Sequence, residues 1–166
     1  MKPAKKAKTT TIISTKRVIS RPNKSKLTKL LKRPEVESWR TLMGTFQTVY
    51  RALEQALLRE QCSISRFQIL FLIYFYGPLS ASDIAQKLCV TRGNISTFLN
   101  RLEADHLTIS LPTGERGGRE LVELTGKGAR FFEKILPPHI ERVTKLMPRL
   151  SPDFLTTLRA VTVKLQ

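Results

Sequence analysis

The sequence predicts a mainly α-helical chain carrying one small β-hairpin, and three observations support that prediction. Apolar residues recur every three or four positions over several long segments, the spacing of a single helix face. A short helix, a three-residue turn and a second helix follow one another between Ser80 and Leu107. Two short runs of alternating apolar and polar residues flank a Pro/Gly-rich tip, which is the pattern of a hairpin. With 166 residues and 41% hydrophobic content, the chain is long enough for one packed domain and short for two.

The elements follow in order. After Pro34, Val36, Trp39, Leu42, Met43, Phe46, Val49, Tyr50, Leu53 and Leu57 make one stripe over about seven helical turns. A small domain cannot cover a stripe of that length, so part of it is expected to meet another chain. Ser65 is expected to cap the next helix, "RFQILFLIYFY", which is apolar nearly all round and stops at Gly77-Pro78. That helix is expected at the buried centre. Ser80 and Asp83 stand in capping-box spacing before a short helix. Cys89-Val90-Thr91 separate it from the second helix of the pair. Leu107, Ile109 and Leu111 alternate with polar residues, as do Val122 and Leu124, around a tip from Pro112 to Gly118. This reads as a two-stranded wing. Thr125 caps a further helix, which Pro137-Pro138 is expected to kink or break because proline removes a donor and clashes with the preceding turn. Pro148 interrupts again, and Ser151-Pro152 opens a last helix bearing Phe154, Leu155, Leu158, Val161 and Leu165.

The second helix of the pair, "TRGNISTFLNRLEADHL", has an unusual surface. Ile95, Phe98, Leu99 and Leu102 share the inward side, whereas Gly93, Thr97 and Asn100, flanked by Ser96 and Arg101, point away. Ordinary solvated faces use Lys and Glu. A DNA major groove admits one helix, and its base edges are read by short side chains in fixed geometry. Asn100 suits adenine N6/N7, and Arg101 or Arg92 suits guanine O6/N7. Thr97 and Ser96 suit bases or phosphates, Gly93 permits close approach, and Thr91 caps a helix start whose amides suit a phosphate. Asn94 joins this set, and Ser80 and Ser82 are expected at phosphates. At the wing, Arg116 and Arg119 suit the minor groove, which attracts arginine.

Charge is uneven along the chain. The net charge is +16, and residues 1–33 hold 12 Lys/Arg and no acid, leaving the remainder at only +4. Such a segment is expected to be disordered and is either an arm for phosphates, a solubilising tail or a transit-like leader. This leaves open a second reading, a non-specific nucleic-acid-binding protein that uses the tail, with the helix pair as a protein-contact module. No enzyme, cofactor or metal site is expected: His106 and His139 are the only histidines and lie in no metal or triad pattern. Cys62 and Cys89 lack metal-ligand spacing and read as small buried filler, although Arg59 and Arg66 stand near Cys62. A reducing, cytoplasmic setting fits. The longest apolar run, Ile69 to Tyr76, is too short to span a bilayer, so no membrane partner is expected.

The ordered combination "ISRFQILFLI", "GPLSASDIAQKLCVTRGNISTFLNRLEADHL", a wing and "LTGKGARFFEKILP" resembles the MarR family of winged-helix transcription regulators. The likeness runs from about Glu35 to Gln166. It implies a winged helix-turn-helix domain over 34–166, with a DNA-binding lobe at 63–125 and dimerisation helices at 34–62 and 126–166. It further implies a homodimer on double-stranded DNA, probing a pseudo-palindrome, and control by a small ligand, often aromatic or acidic. Repression is the expected outcome. Trp39, Tyr50, Tyr76 and His139 stand where such a ligand would lie but read as core or interface. Two departures stand out. Family wings carry Asp-x-Arg or Asp-Arg-Arg, whereas an ungapped reading puts Arg116 at the aspartate and Gly117-Gly118 at the arginines. His106 replaces the usual glycine after the recognition helix and is expected to adopt the left-handed conformation there, which histidine tolerates better than most non-glycine residues. The oxidant-sensing subgroup carries a cysteine early in its first helix, and none stands there in this chain.

Overall fold

The structure, a computed structural model, describes residues 24–112 and 120–163. Contacts divide the chain into two compact units, Met1–Met43 and Gly44–Gln166. In the first unit, α1 (Lys24–Leu30) is a helix where the sequence reading expected disorder. Leu27, Leu30 and Leu31 supply a local helical period there, and all three stay exposed. α2 (Pro34–Arg59) then starts on a proline at its first position, where the missing N–H costs nothing. Glu35 and Glu37 in its first turn and Arg59 in its last complement the helix dipole.

In the second unit, the end of α2 contributes Leu53 and Leu57 to the core. α3 (Ile64–Tyr76) is capped by Ser63, not Ser65: the Ser63 hydroxyl accepts from Arg66 N–H at 3.3 Å. Ser65 lies inside the helix, because the chain must first leave the left-handed turn at Gln61 (φ 58°). Ile64, Phe67, Ile69, Leu70, Leu72 and Ile73 are buried as expected, but the helix surfaces at its end, leaving Tyr74, Phe75 and Tyr76 exposed. β1 (Leu79–Ser80), α4 (Ala81–Leu88), α5 (Arg92–Ala104), β2 (Thr108–Leu111) and β3 (Leu121–Leu124) complete the helix-turn-helix and wing.

The wing has three strands rather than two. β1 pairs antiparallel with β3 (Leu79↔Val122) and β3 with β2 (Ser110↔Val122), in the order β1-β3-β2. The two residues between Gly77-Pro78 and α4 are too few to show an alternation, which is why the sequence did not reveal this strand. The inward face of β2 also differs from the expected one. Leu107 is buried, but Ile109 is exposed and Thr108 is almost fully buried. Leu107 belongs to the cap that ends α5, not to the strand, so its burial does not set the pleat that begins at Thr108.

α6 (Gly126–Leu146) runs unbroken through Pro137 and Pro138. Pro137 and Glu133, whose carbonyl loses its helical partner, both lie on the solvent-exposed face. Phe132, Ile135 and His139 are buried on the other side and hold the helix to the core across the prolines. α7 (Pro152–Val163) follows, its first turn capped by the Ser151 hydroxyl, which accepts from Phe154 N–H at 3.2 Å. No residue of α7 is buried. Among the described residues, no helix is long and apolar enough to cross a membrane.

Candidate nucleic-acid interface

The geometry of α4 and α5 is set by capping. The Ser80 hydroxyl accepts from Asp83 N–H at 3.2 Å and Ser80 N–H donates to the Asp83 carboxylate at 3.2 Å, which closes a capping box; the hydroxyl also donates to that carboxylate at 2.6 Å. Ser80 is 3% exposed. Its expected phosphate contact is therefore corrected: buried and engaged twice, Ser80 holds the start of α4. Ser82, two residues on, is half-buried. α4 ends at Cys89 in the left-handed region (φ 54°), with Val90 N–H reaching back to the Ala85 carbonyl at 3.0 Å. This turn swings the chain out to Thr91, whose hydroxyl accepts from Asn94 N–H at 3.4 Å and caps α5.

α5 presents two opposed faces, as the sequence suggested. Ile95, Leu99 and Leu102 are buried and Phe98 packs partly against the core. Arg92, Gly93, Asn94, Thr97, Asn100 and Arg101 are exposed, and Ser96 is half-buried at their edge. The Ser96 and Thr97 hydroxyls donate to the carbonyls of Arg92 and Gly93, at 3.1 and 3.2 Å, which leaves their lone pairs to accept. A Cβ added at Gly93 would meet nothing within 4 Å. The protein's own packing thus gives no reason for a glycine here, although glycine costs a helix up to about 1 kcal/mol against alanine.

The far end of α5 is held differently. His106 adopts φ 59°, the left-handed cap position anticipated from the sequence. Its N–H donates to Glu103 O at 2.8 Å and Leu107 N–H to Leu102 O at 2.9 Å, completing the helix stop. Thr125 caps α6 through Gly128 N–H at 2.9 Å and also donates its hydroxyl proton to His106 O at 2.7 Å. Gly128 explains the Leu-Thr-x-x-Gly spacing: a Cβ there would lie 1.9 Å from the Leu107 carbonyl oxygen. Arg66 of α3 pairs with Asp105 at 2.6 Å, and the Lys127 ammonium donates to Asp105 O at 2.8 Å. Sequence reasoning missed the Arg66–Asp105 pair, which joins residues 39 apart.

Arg116 and Arg119 lie outside the described residues. The described strands on either side, β2 and β3, pair up to Leu111↔Leu121.

The remaining candidates separate by burial. Cys62 is buried, and burial outweighs the opposing Arg66 charge to push its thiol up to about 11, so it stays protonated near neutrality. Cys89 is exposed, contrary to the filler reading, because the left-handed cap turns it out of the core. Trp39 and Tyr76 are exposed and Tyr50 is half-buried. His139 is 7% exposed, its ring centroid 4.2 Å from that of Phe67, and its Nδ1 has no partner. Burial, and behind it the Arg142 charge, holds its imidazole below the ordinary value. A shallow pocket beside it is lined by Arg59, Glu60, Gln61, Phe131, Lys134, Ile135 and Pro138. Among the described residues, no group of acidic, Cys or His side chains could hold a metal ion.

Comparison with known proteins agrees with this geometry. Residues 62–107 match the family model described as MarR family. The uncharacterized HTH-type transcriptional regulator YkoM of Bacillus subtilis (strain 168) is 25% identical over 123 residues, covering 72% of this chain and 80% of YkoM. Two solved structures share the fold. Mutant MarR C80S from E. coli, complexed with operator DNA, has a TM-score of 0.64 at 22% identity, covering 78% of this chain and 94% of that one. NadR in complex with 4-hydroxyphenylacetate has a TM-score of 0.61 at 22% identity, covering 75% and 89%. The helix pair, the three-stranded wing and the match over 62–107 make this chain similar, over that segment, to the MarR family of helix-turn-helix transcription regulators.

Proposed function

We propose that the chain is a sequence-specific repressor that binds a pseudo-palindromic operator as a homodimer, with one α5 helix in each of two successive major grooves. The observation that carries this reading is the outward face of α5, short and polar at Asn94, Thr97 and Asn100, with a glycine at Gly93 that nothing inside the protein requires. Thr97, Asn100 and Arg101 read base edges, supported by Arg92, Asn94 and Ser96; Thr91 and Ser82 meet phosphates. Ser80 acts only through the helix it caps. Arg116 or Arg119 enters the minor groove from the wing, whose strands pair up to Leu111↔Leu121.

Dimerisation follows from uncovered apolar stripes. Trp39 and Phe46 on α2 are 62% and 56% exposed, and Phe154, Leu155 and Val161 on α7 are likewise uncovered. A second copy covers such stripes symmetrically and sets the two α5 helices about 34 Å apart, one DNA turn. The domain division follows: 63–125 as the DNA-binding lobe, with 34–62 and 126–166 as dimerisation helices. Release by a small aromatic or acidic effector fits the pocket, whose lining includes the cationic Arg59 and Lys134 and the apolar Phe131 and Pro138. The solved NadR complex holds a ligand of that chemistry. An effector shifts DNA affinity only by binding two arrangements of the dimer unequally.

The test is selection from random duplexes at two salt concentrations, using the full chain and a form lacking residues 1–33. A palindromic motif enriched by both forms is the expected result. Binding that vanishes with the tail, steepens as salt falls and enriches nothing makes the chain a non-specific nucleic-acid binder instead.

A further inference from the structure

The two ends of α5 are held in unlike ways. At its start, the hydrogen bonds of Thr91, Ser96 and Thr97 are all local. At its end, four contacts from two other elements converge on Asp105, His106 and Leu107. Arg66 of α3 pairs with the Asp105 carboxylate at 2.6 Å, and Lys127 of α6 donates to the Asp105 carbonyl at 2.8 Å. Thr125 donates its hydroxyl proton to the His106 carbonyl at 2.7 Å and its N–H to the Leu107 carbonyl at 3.1 Å. The start of α3 is in turn tied to α2, because Ile64 N–H donates to the Glu54 carboxylate at 2.6 Å. Hydrogen bonds thus run from α2 through α3, and directly from α6, to one joint at the end of α5.

We infer that Arg66 and Asp105 are positioning residues that fix the angle of α5 and, through it, the half-site spacing the dimer accepts. This rests on the reading of α5 as the DNA-docking helix and of α2 and α6 as dimerisation helices. The pair itself contributes little to folding, since the Asp105 side chain is half exposed. Its removal leaves the backbone stop of α5 intact, because Asp105 N–H still donates to Arg101 O and Leu107 N–H to Leu102 O. What is lost is the tie to α3. The apolar stripe of Ile95, Leu99 and Leu102 then permits α5 to rock, since apolar contact is non-directional.

A double-mutant cycle on the full-length chain tests this, with Asp105→Asn, Arg66→Gln and the two combined. Affinity is measured on the selected operator and on versions one base pair longer or shorter between half-sites. Each single variant is expected to lose preference for the selected spacing several-fold, with thermal midpoint and salt slope unchanged. The double variant is expected to lose no more than either single one. Wild-type spacing preference in Asp105→Asn, or losses that add in the double variant, overturns the inference. Asn100→Ala, measured alongside, keeps the two readings distinguishable. If it alters no base preference, α5 does not read DNA; if it does while Asp105→Asn leaves spacing untouched, only the positioning role fails.

Discussion

Gly93 lies in the first turn of α5 and Gly128, in α6, packs against the turn that ends it, and the fold needs only one of the two glycines. At Gly128 a Cβ would lie 1.9 Å from the Leu107 carbonyl oxygen, so the close approach of α6 to the end of α5 excludes every other residue. At Gly93 a Cβ would meet nothing, and the backbone there is ordinary helix. The first glycine records how the protein packs against itself. The second leaves open space on the face that also carries Thr97, Asn100 and Arg101, the face proposed to dock on DNA.

Alanine at each position breaks or sharpens this contrast. Gly128→Ala forces backbone against Cβ and should destabilise the fold by about 3 kcal/mol, read as a drop in the denaturant midpoint. A change within error would mean that α6 can shift away from Leu107 freely. Gly93→Ala should instead stabilise the free protein by up to about 1 kcal/mol while weakening operator binding. Equal or tighter DNA binding by that variant would remove the main support for close approach at α5.

The fixed side of the contrast is also where protonation reaches the fold. Buried His139 has its pKa lowered by desolvation and by Arg142, so the folded chain binds its proton less readily than the unfolded one. Below the ordinary value of 6.5 the unfolded chain binds a proton that the folded chain refuses. Stability should therefore fall as pH drops through that value, levelling once the folded imidazole also protonates. His139→Leu should flatten the slope between neutral and mildly acidic pH. Unfolding curves across that range check this, and an unaltered slope would assign the pH dependence elsewhere.

Local signals were the legible ones. The Thr91 and Thr125 caps, the stripe of α2, the two faces of α5 and the left-handed His106 all rest on residues within a turn or two of each other. The structure departs from the sequence reading where distant parts of the chain decide. β1 exists only because β3 lies beside it, and Thr108 is buried because β2 takes its pleat from β3, not from Leu107. Pro137-Pro138 failed to break α6 because Phe132, Ile135 and His139 anchor it on both sides. The site divides the same way. Its outward residues were readable from helical spacing, whereas the Arg66–Asp105 tie and the burial of Ser80 depend on tertiary placement.

The central claim is that the outward face of α5 reads base edges, and Asn100→Ala tests it most directly. Selection from random duplexes by the wild type and the variant would be compared position by position. The account predicts relaxed preference at one base pair of each half-site, with a discrimination loss of about 1–3 kcal/mol and an unchanged salt slope. A loss spread evenly over all sequences, with a shallower salt slope, would contradict it and make Asn100 a contact to the DNA backbone.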